Sequence, residues 1–230
     1  MYQELAKFYD ALVADDEATQ DWVNFIESHA SFNTVLEFAC GSGEITLALA
    51  KKGYKVKASD LSSDMVEQAK NKENAHLVEF SVHNMIEPLN EQADLVLCLC
   101  DSMNYVIEEK DFIQVIQNAY NNLNDKGTFI FDVHSLDRLE EFENEFYEEG
   151  VIDNCGYEWS IETQHDHIYQ NFVFFDEGAH PTFEQHIQRV YDPYKIKEWC
   201  ENIGFSVEMY TDFRHEGICA GEKYFYVCRR

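Results

Sequence analysis

From residue 34 onward the rhythm of apolar positions in this chain switches repeatedly. Short apolar runs alternate with stretches whose apolar residues recur every three or four positions. "TVLEFA" (34–39) predicts a strand, 43–52 a helix closed by Gly53, and "YKVKAS" (54–59) a second strand. "SSDMVEQAKNK" (62–72) follows as a helix with a serine at its start and an early acid. "HLVEFS" (76–81) and "ADLVLCLC" (93–100) are the third and fourth strands. Residues 108–123 predict a helix with Phe112, Val115, Ile116, Ala119 and Leu123 on one face, and "GTFIFDV" (127–133) a fifth strand. Ahead of this series, 2–13 and 18–30 read as helices, the second with Trp22, Phe25, Ile26 and His29 at helical spacing.

Strands alternating with helices imply parallel crossovers and a sheet covered on both faces. Continuous apolar runs such as "LVLCLC" fit that double burial. The expected fold class is therefore α/β, with a Rossmann-like sheet flanked by helices.

The grammar changes after residue 135. Leu136, Leu139, Phe142 and Phe146 predict an acidic amphipathic helix over 136–149. Three aromatic-rich segments follow near 156–164, 167–176 and 182–191, without helical periodicity, and read as an antiparallel meander. Asp192 as cap, Pro193 in first position and Gly204 at the close then mark a helix. Residues 205–213 and 222–229 form a terminal strand pair. The expected organisation is a core of 1–135 and 193–230 carrying an inserted lid of 136–192.

Composition narrows the class. The 230 residues carry 44 acids against 17 Lys and Arg, a net charge of -27. Such a surface repels phosphate backbones, so nucleic acid is not the expected partner. No apolar stretch is long enough to span a bilayer, and the N-terminus lacks the basic-then-apolar layout of a leader. A soluble, cytoplasmic protein is expected, with no membrane partner. The seven cysteines are odd in number and contain no CxxC, which argues against disulfides and structural zinc. Cys98 and Cys100 read as small buried hydrophobes of the fourth strand.

The candidate chemistry begins at "VLEFACGSGEIT". Gly41 and Gly43 permit a sharp turn and close backbone approach to a ligand at the end of the first strand. Thr46 stands where the third glycine of a dinucleotide fingerprint would be, which counts against a nicotinamide dehydrogenase. Glu37 is an acid within an apolar strand and requires a partner. Asp60 ends the second strand at the spacing from which an acid reaches ribose hydroxyls, or else caps the following helix. His134 ends the fifth strand, on the edge where ligands bind. In "TFEQHIQRVY", Glu184, His186 and Gln188 share one face, and His165 and His167 share another. No spacing adds a third ligand to these histidines, so no metal site is expected.

Taken in order, these motifs resemble those of the class I S-adenosylmethionine-dependent methyltransferases. "VLEFACGSGEIT" is similar to the first motif, "ASDLSSDMVEQAK" to the acidic-loop motif, "VHNMIEPL" to the adenine-contacting segment and "ADLVLCLCDSMNYV" to the fourth motif. Where many relatives carry Asp in the third of these, this chain has Asn84. Its DSxNY form, with the opening "YQELAKFYDALV", resembles a bacterial subgroup of small methyltransferases. The resemblance implies a seven-stranded sheet and S-adenosylmethionine as methyl donor, with S-adenosylhomocysteine as product. Glu37, Cys40, Gly41 and Gly43 would hold the methionine portion. Asp60 would take the ribose, with Leu61, Asn84 and Met85 around the adenine. Cys100 and Asp101 would lie near the methionine tail, and Tyr9 over the sulfonium. His134, Asp101 and Tyr105 are the candidate catalytic residues. The expected acceptor is a small molecule. An RNA or protein methyltransferase, or a non-catalytic S-adenosylmethionine-binding protein, is the alternative, and the oligomeric state is left open.

Overall fold

A computed structural model of the protein describes residues 5–13, 15–143, 146–175 and 180–230. Two sheets organise these residues. The larger runs through β1 (Thr34–Phe38), β2 (Lys55–Asp60), β3 (Val78–Val82), β4 (Ala93–Cys98), β5 (Leu123–His134), β10 (Ser206–Thr211), β11 (His215–Glu216) and β12 (Lys223–Arg229). Their spatial order is β11-β10-β12-β5-β4-β1-β2-β3. β1 pairs in parallel with both β2 and β4, and β12 is antiparallel to β5 and β10. Seven strands form the sheet expected from the sequence, and the two-residue β11 adds an edge that no periodicity announces.

Residue alternation explains why helices cover both faces. Val96, Cys98, Phe129, Phe131 and Tyr226 face one core, with Phe112 and Val115 of α5 (Glu109–Asn122) and Ile196 of α7 (Pro193–Ile203). Leu95, Leu97, Ile130, Phe225 and Val227 face the other. That second core is completed by α2 (Asp16–His29) and α3 (Glu44–Lys51). Phe131 and Tyr226 sit directly opposite on β5 and β12, and their rings stack at 4.6 Å. Strand order reverses between β1 and β4, opening a crevice above their carboxyl ends.

The smaller sheet is antiparallel, in the order β6-β7-β8-β9. Its strands are β6 (Phe146–Ile152), β7 (Cys155–Gln164), β8 (His167–Phe175) and β9 (Thr182–Arg189). All four lie in sequence between β5 and α7. The helix expected over 136–149 is shorter: α6 covers only Asp137–Glu141, and Phe146 begins β6. Phe146 pairs with Ile161 of β7, while Phe142 packs against Ile161, Ile168 and Val190. Cross-strand pairing therefore overrides a helical spacing that Gly150 and the β-forming Tyr147 and Val151 already weaken. Residues 2–4, 144–145 and 176, also assigned to elements from the sequence, lie outside the described residues.

Two further expectations change. His165 occupies a hairpin turn at φ 60°, because Gln164 pairs with His167, so the two histidines do not share a strand face. β4 ends at Cys98, and Cys100 stands exposed in the following loop at φ 56°. Among the described residues, no helix is long and apolar enough to cross a membrane.

α1 (Leu5–Val13) and α4 (Ser63–Asn71) complete the frame of the crevice. Gly43 starts α3 at φ 82°, and a Cβ there would stand 3.2 Å from the Ala69 Cβ and 3.3 Å from the Phe80 ring. Gly43→Ala is expected to destabilise the protein by about 1–2 kcal/mol, through left-handed strain and crowding. Urea unfolding measures this, and an unchanged midpoint would contradict it.

Candidate active site

The loop after β1 needs left-handed backbone at Ala39 (φ 52°), Gly41 (φ 54°) and Gly43 (φ 82°). It is held by Asp60, whose carboxylate accepts the Gly41 N–H and the Ser62 N–H, each at 2.8 Å. Ser62, rather than Asp60, caps α4 by accepting the Met65 N–H. Burial pushes the Asp60 carboxyl upward, opposed by the amides of Ser62, Gly41 and Leu61.

Glu37 lies one strand over and is only 3% exposed. The Thr46 hydroxyl donates to it at 2.5 Å. Burial raises its pKa to about 7, with Thr46 opposing and Asp60 adding to the rise. These two carboxyls lie at the floor of a cavity of about 260 Å3. Tyr9, Cys40, Gly41, Leu61, Asn84, Met85 and Cys100 also line it. Asn84 uses its side-chain oxygen to accept the Ile86 N–H at 3.1 Å, shaping that wall.

A second cavity, of about 440 Å3, lies against the first and shares Tyr9, Cys100 and Tyr105 with it. Phe142, Phe146, Trp159 and Phe172 line it together with the polar Asp101, His134, Arg138 and Glu141. The Asp101 backbone is left-handed, at φ 52°, and its N–H donates to Asp132 at 2.9 Å. Lys223 donates to both acids, at 2.7 Å to Asp101 and 3.1 Å to Asp132. Burial opposes the ionisation of Asp101, but Lys223 and then His134 hold its pKa well below the usual range. Burial pushes the buried Asp132 carboxyl the other way, upward. His134 stays neutral because burial lowers its pKa against the pull of Asp101.

α1 spans both cavities through Tyr9. Asp10 accepts the Ser42 hydroxyl at 2.6 Å and pairs with Lys72 at 2.7 Å. Lys72 also binds Glu44. At the other end of α1, the Leu5 N–H donates to Glu184 of β9 at 3.1 Å, and Phe8 stacks on Phe174 of β8. One helix is thereby fastened to both sheets.

The structure brings Tyr9, Glu37, Cys40, Gly41, Asp60, Leu61, Asn84, Met85 and Cys100 to the first cavity, and Asp101, Tyr105 and His134 to the second. Tyr105 belongs to both. Gly43 stands apart from the walls, since its lack of a side chain serves the packing of α3 on α4 and β3. Asp101 turns toward Lys223 and the second cavity rather than the first. Thr46 and Gln188, noticed in the sequence for other reasons, join the site, and sequence reasoning misses Asp132 and Lys223. Asp132 carried a readable signal, an acid inside the apolar run "FIFDV", of the same kind as Glu37.

Residues 35–127 match the family described as a methyltransferase domain. Over its full length the chain is 30% identical to a Geobacillus sp. (strain WCH70) protein named "Putative methyltransferase", covering 100% of this chain and 99% of that one. Among solved structures, an S-adenosylmethionine-dependent methyltransferase from Clostridium acetobutylicum ATCC 824 superposes with a TM-score of 0.83 at 24% identity, covering 99% of this chain and 98% of that one. CalS10, an S-adenosylmethionine-bound amino pentose methyltransferase from Micromonospora echinaspora, does so with a TM-score of 0.76 at 13% identity, covering 100% and 98%. Both share the fold.

Glu37 sets a pH test. With a native pKa of about 7 against an ordinary 4.5, the folded state binds this proton more tightly than the unfolded chain. Its stabilising contribution is therefore full below the unfolded value and is lost as pH rises through the folded one, a change of about 3 kcal/mol. The stability of the unligated wild type minus that of Glu37→Gln should fall by that order between about pH 4 and about pH 8. Parallel unfolding curves of the two proteins across that range would contradict it.

Proposed function

The chain belongs to the class I S-adenosylmethionine-dependent methyltransferases, and from that premise we propose that it is an enzyme transferring a methyl group from S-adenosylmethionine to a small-molecule acceptor. The observation that carries this reading is the pair of cavities at the point of strand reversal, which share Tyr9, Cys100 and Tyr105. One cavity has two buried acids at its floor and the other has aromatic walls. The first fits the donor: a carboxyl held near pKa 7 by burial is an acid in want of a cation, and the donor carries cationic groups. Glu37, Cys40 and Gly41 would hold the amino-acid portion, Asp60 the ribose hydroxyls, and Leu61, Asn84 and Met85 the adenine.

When bound, the donor supplies a methyl group already activated by a positive sulfur. The protein's share is alignment and exclusion of water, and alignment alone contributes roughly 7–11 kcal/mol. Tyr9 and Tyr105 stand between the two cavities, where they would orient an acceptor and present aromatic faces to positive charge. α1, tied by Asp10 to Ser42 and Lys72, closes the crevice from above. His134 is neutral and borders the second cavity, which suits it to receive a proton from an acceptor that carries one. Asp101, kept ionised by Lys223, would stabilise the imidazolium so formed.

The small-molecule reading rests on the aromatic residues that line the second cavity and on the likeness to an amino pentose methyltransferase. The net charge of -27 weighs against RNA. We also assign the chain to the bacterial subgroup with the DSxNY motif. In support, Asp101 meets Lys223, and Asn104 joins the His134 N–H to the Arg189 carbonyl.

Calorimetry tests the donor site. S-adenosylhomocysteine should bind the wild type, and Asp60→Ala should weaken it by about tenfold or more, as expected for loss of a charge-assisted contact. Equal affinities would remove Asp60 from the site. Formation of S-adenosylhomocysteine from S-adenosylmethionine, followed across fractionated metabolites, would then identify the acceptor.

A further inference from the structure

β9 is an edge strand with an inverted pattern. Its polar residues His186 and Gln188 are buried, Gln188 completely, while Phe183 is 62% exposed. An ordinary strand of this kind turns its apolar side inward. The inward polar face meets the loop after β4 and the end of β5, and Gln188 is where it does so.

The side-chain amide of Gln188 makes three contacts. Its nitrogen donates to Asp101 Oδ2 at 2.6 Å. Its oxygen lies 2.8 Å from Gln170 Nε2 and 3.1 Å from His134 Nε2. The orientation of the amide follows from donor and acceptor capacity. Asp101 is ionised and can only accept, so the NH2 group must face it; the reverse orientation would set two oxygens against each other. The amide oxygen is then committed toward the imidazole, and the ring nitrogen facing it must carry a hydrogen. The other ring nitrogen, Nδ1, is buried and has no hydrogen-bond partner among the described residues.

We propose that Gln188 is a positioning residue: it holds His134 as the neutral Nε2–H tautomer and stands between the imidazole and Asp101, leaving the buried Nδ1 as the ring's lone pair. The basic nitrogen of the ring is then Nδ1, and its use in taking a proton from an acceptor rests on the methyltransferase reading, whereas the tautomer does not.

The screening role has a geometric basis. Asp101 Oδ2 lies 3.5 Å from His134 Nε2, longer than a hydrogen bond, because Gln188 occupies the short contact to each. Without the amide, the imidazole is free to close on the carboxylate and become a bound imidazolium. The other charged groups around the ring are Lys223 of β12 and Arg138 of α6, both of which disfavour its protonation. Asp132 of β5 is paired with Lys223. Lys223 and Arg138 thus bias the ring toward neutrality from two further elements.

The test is 15N NMR of the histidine side chains in the full-length protein, with His134→Gln identifying the resonances. At neutral pH the wild type should show a protonated Nε2 and an unprotonated Nδ1. In Gln188→Met, and in Gln188→Leu should the first fail to fold, the His134 midpoint should move upward by ~1 unit, as expected when a carboxylate meets the ring directly. A role confined to packing would leave that midpoint in place. An Nδ1–H tautomer in the wild type, or folded variants with the wild-type midpoint, would overturn the proposal. Calorimetry with S-adenosylhomocysteine on the same samples separates the two readings. Unchanged affinity in the Gln188 variants is expected, since Gln188 does not line the first cavity. Failure of the wild type to bind would overturn the donor site and, with it, the acceptor consequence, while the NMR result decides the tautomer.

Discussion

One buried carboxylate ties the crevice together. Asp60 accepts backbone N–H groups from two loops at once, Gly41 after β1 and Ser62 after β2. Each loop must leave its strand at a fixed angle for the two amides to converge. The left-handed conformations at Ala39, Gly41 and Gly43 allow the first loop to do so. The floor of the first cavity is a consequence of that convergence. So is the closeness of Asp60 to Glu37, which adds to the burial that already disfavours a charge on Glu37. A cavity bordered by two such acids is electrostatically complementary to a cationic occupant and hostile to an anionic one.

The two sheets divide the work. The parallel sheet builds the first cavity from strand ends and loops, and the antiparallel sheet supplies the aromatic wall of the second. They are joined at few but specific points. α1 is bonded to the large sheet's loops through Asp10 and to β9 through Leu5. Gln188 of β9 reaches Asp101, while Lys223 of β12 holds Asp101 and Asp132 together. Polar groups bonded to one another in this way hold each other in place, so the second cavity has a shape set by hydrogen bonds as much as by packing. The left-handed backbone at Asp101 is held by bonds of this network, and Cys100 beside it is left-handed too, at the junction of the two cavities.

Much of this was legible in the sequence where one residue broke a local pattern. Glu37 interrupts an apolar strand, Asp60 ends the next, and the glycines between them mark the turn. Strand and helix alternation sufficed for the parallel sheet, because each βαβ unit is built from neighbours in sequence. The missing third glycine acquired a positive meaning only in the structure, where Thr46 is the hydrogen-bond donor to Glu37. Asp132 broke its strand just as Glu37 did, and its partner could not be guessed. Lys223 lies far along the chain, and long-range pairing leaves no local trace. Gln188 could be assigned to a strand face from period two, but not to a partner across the cavity. The stretch 136–149 misled because four apolar residues at helical spacing served instead a short helix with its two ends and a strand edge, and the decision lay with β7.

The convergence at Asp60 governs the crevice, and a crystal structure of the protein with S-adenosylhomocysteine tests it most directly. The ligand is expected in the crevice between β1 and β4, its ribose hydroxyls on Asp60 and its sulfur toward Tyr9 and Tyr105, with the Gly41 and Ser62 amides still on the carboxylate. A ligand seated elsewhere, or in the crevice with Asp60 turned away from it, would contradict the account.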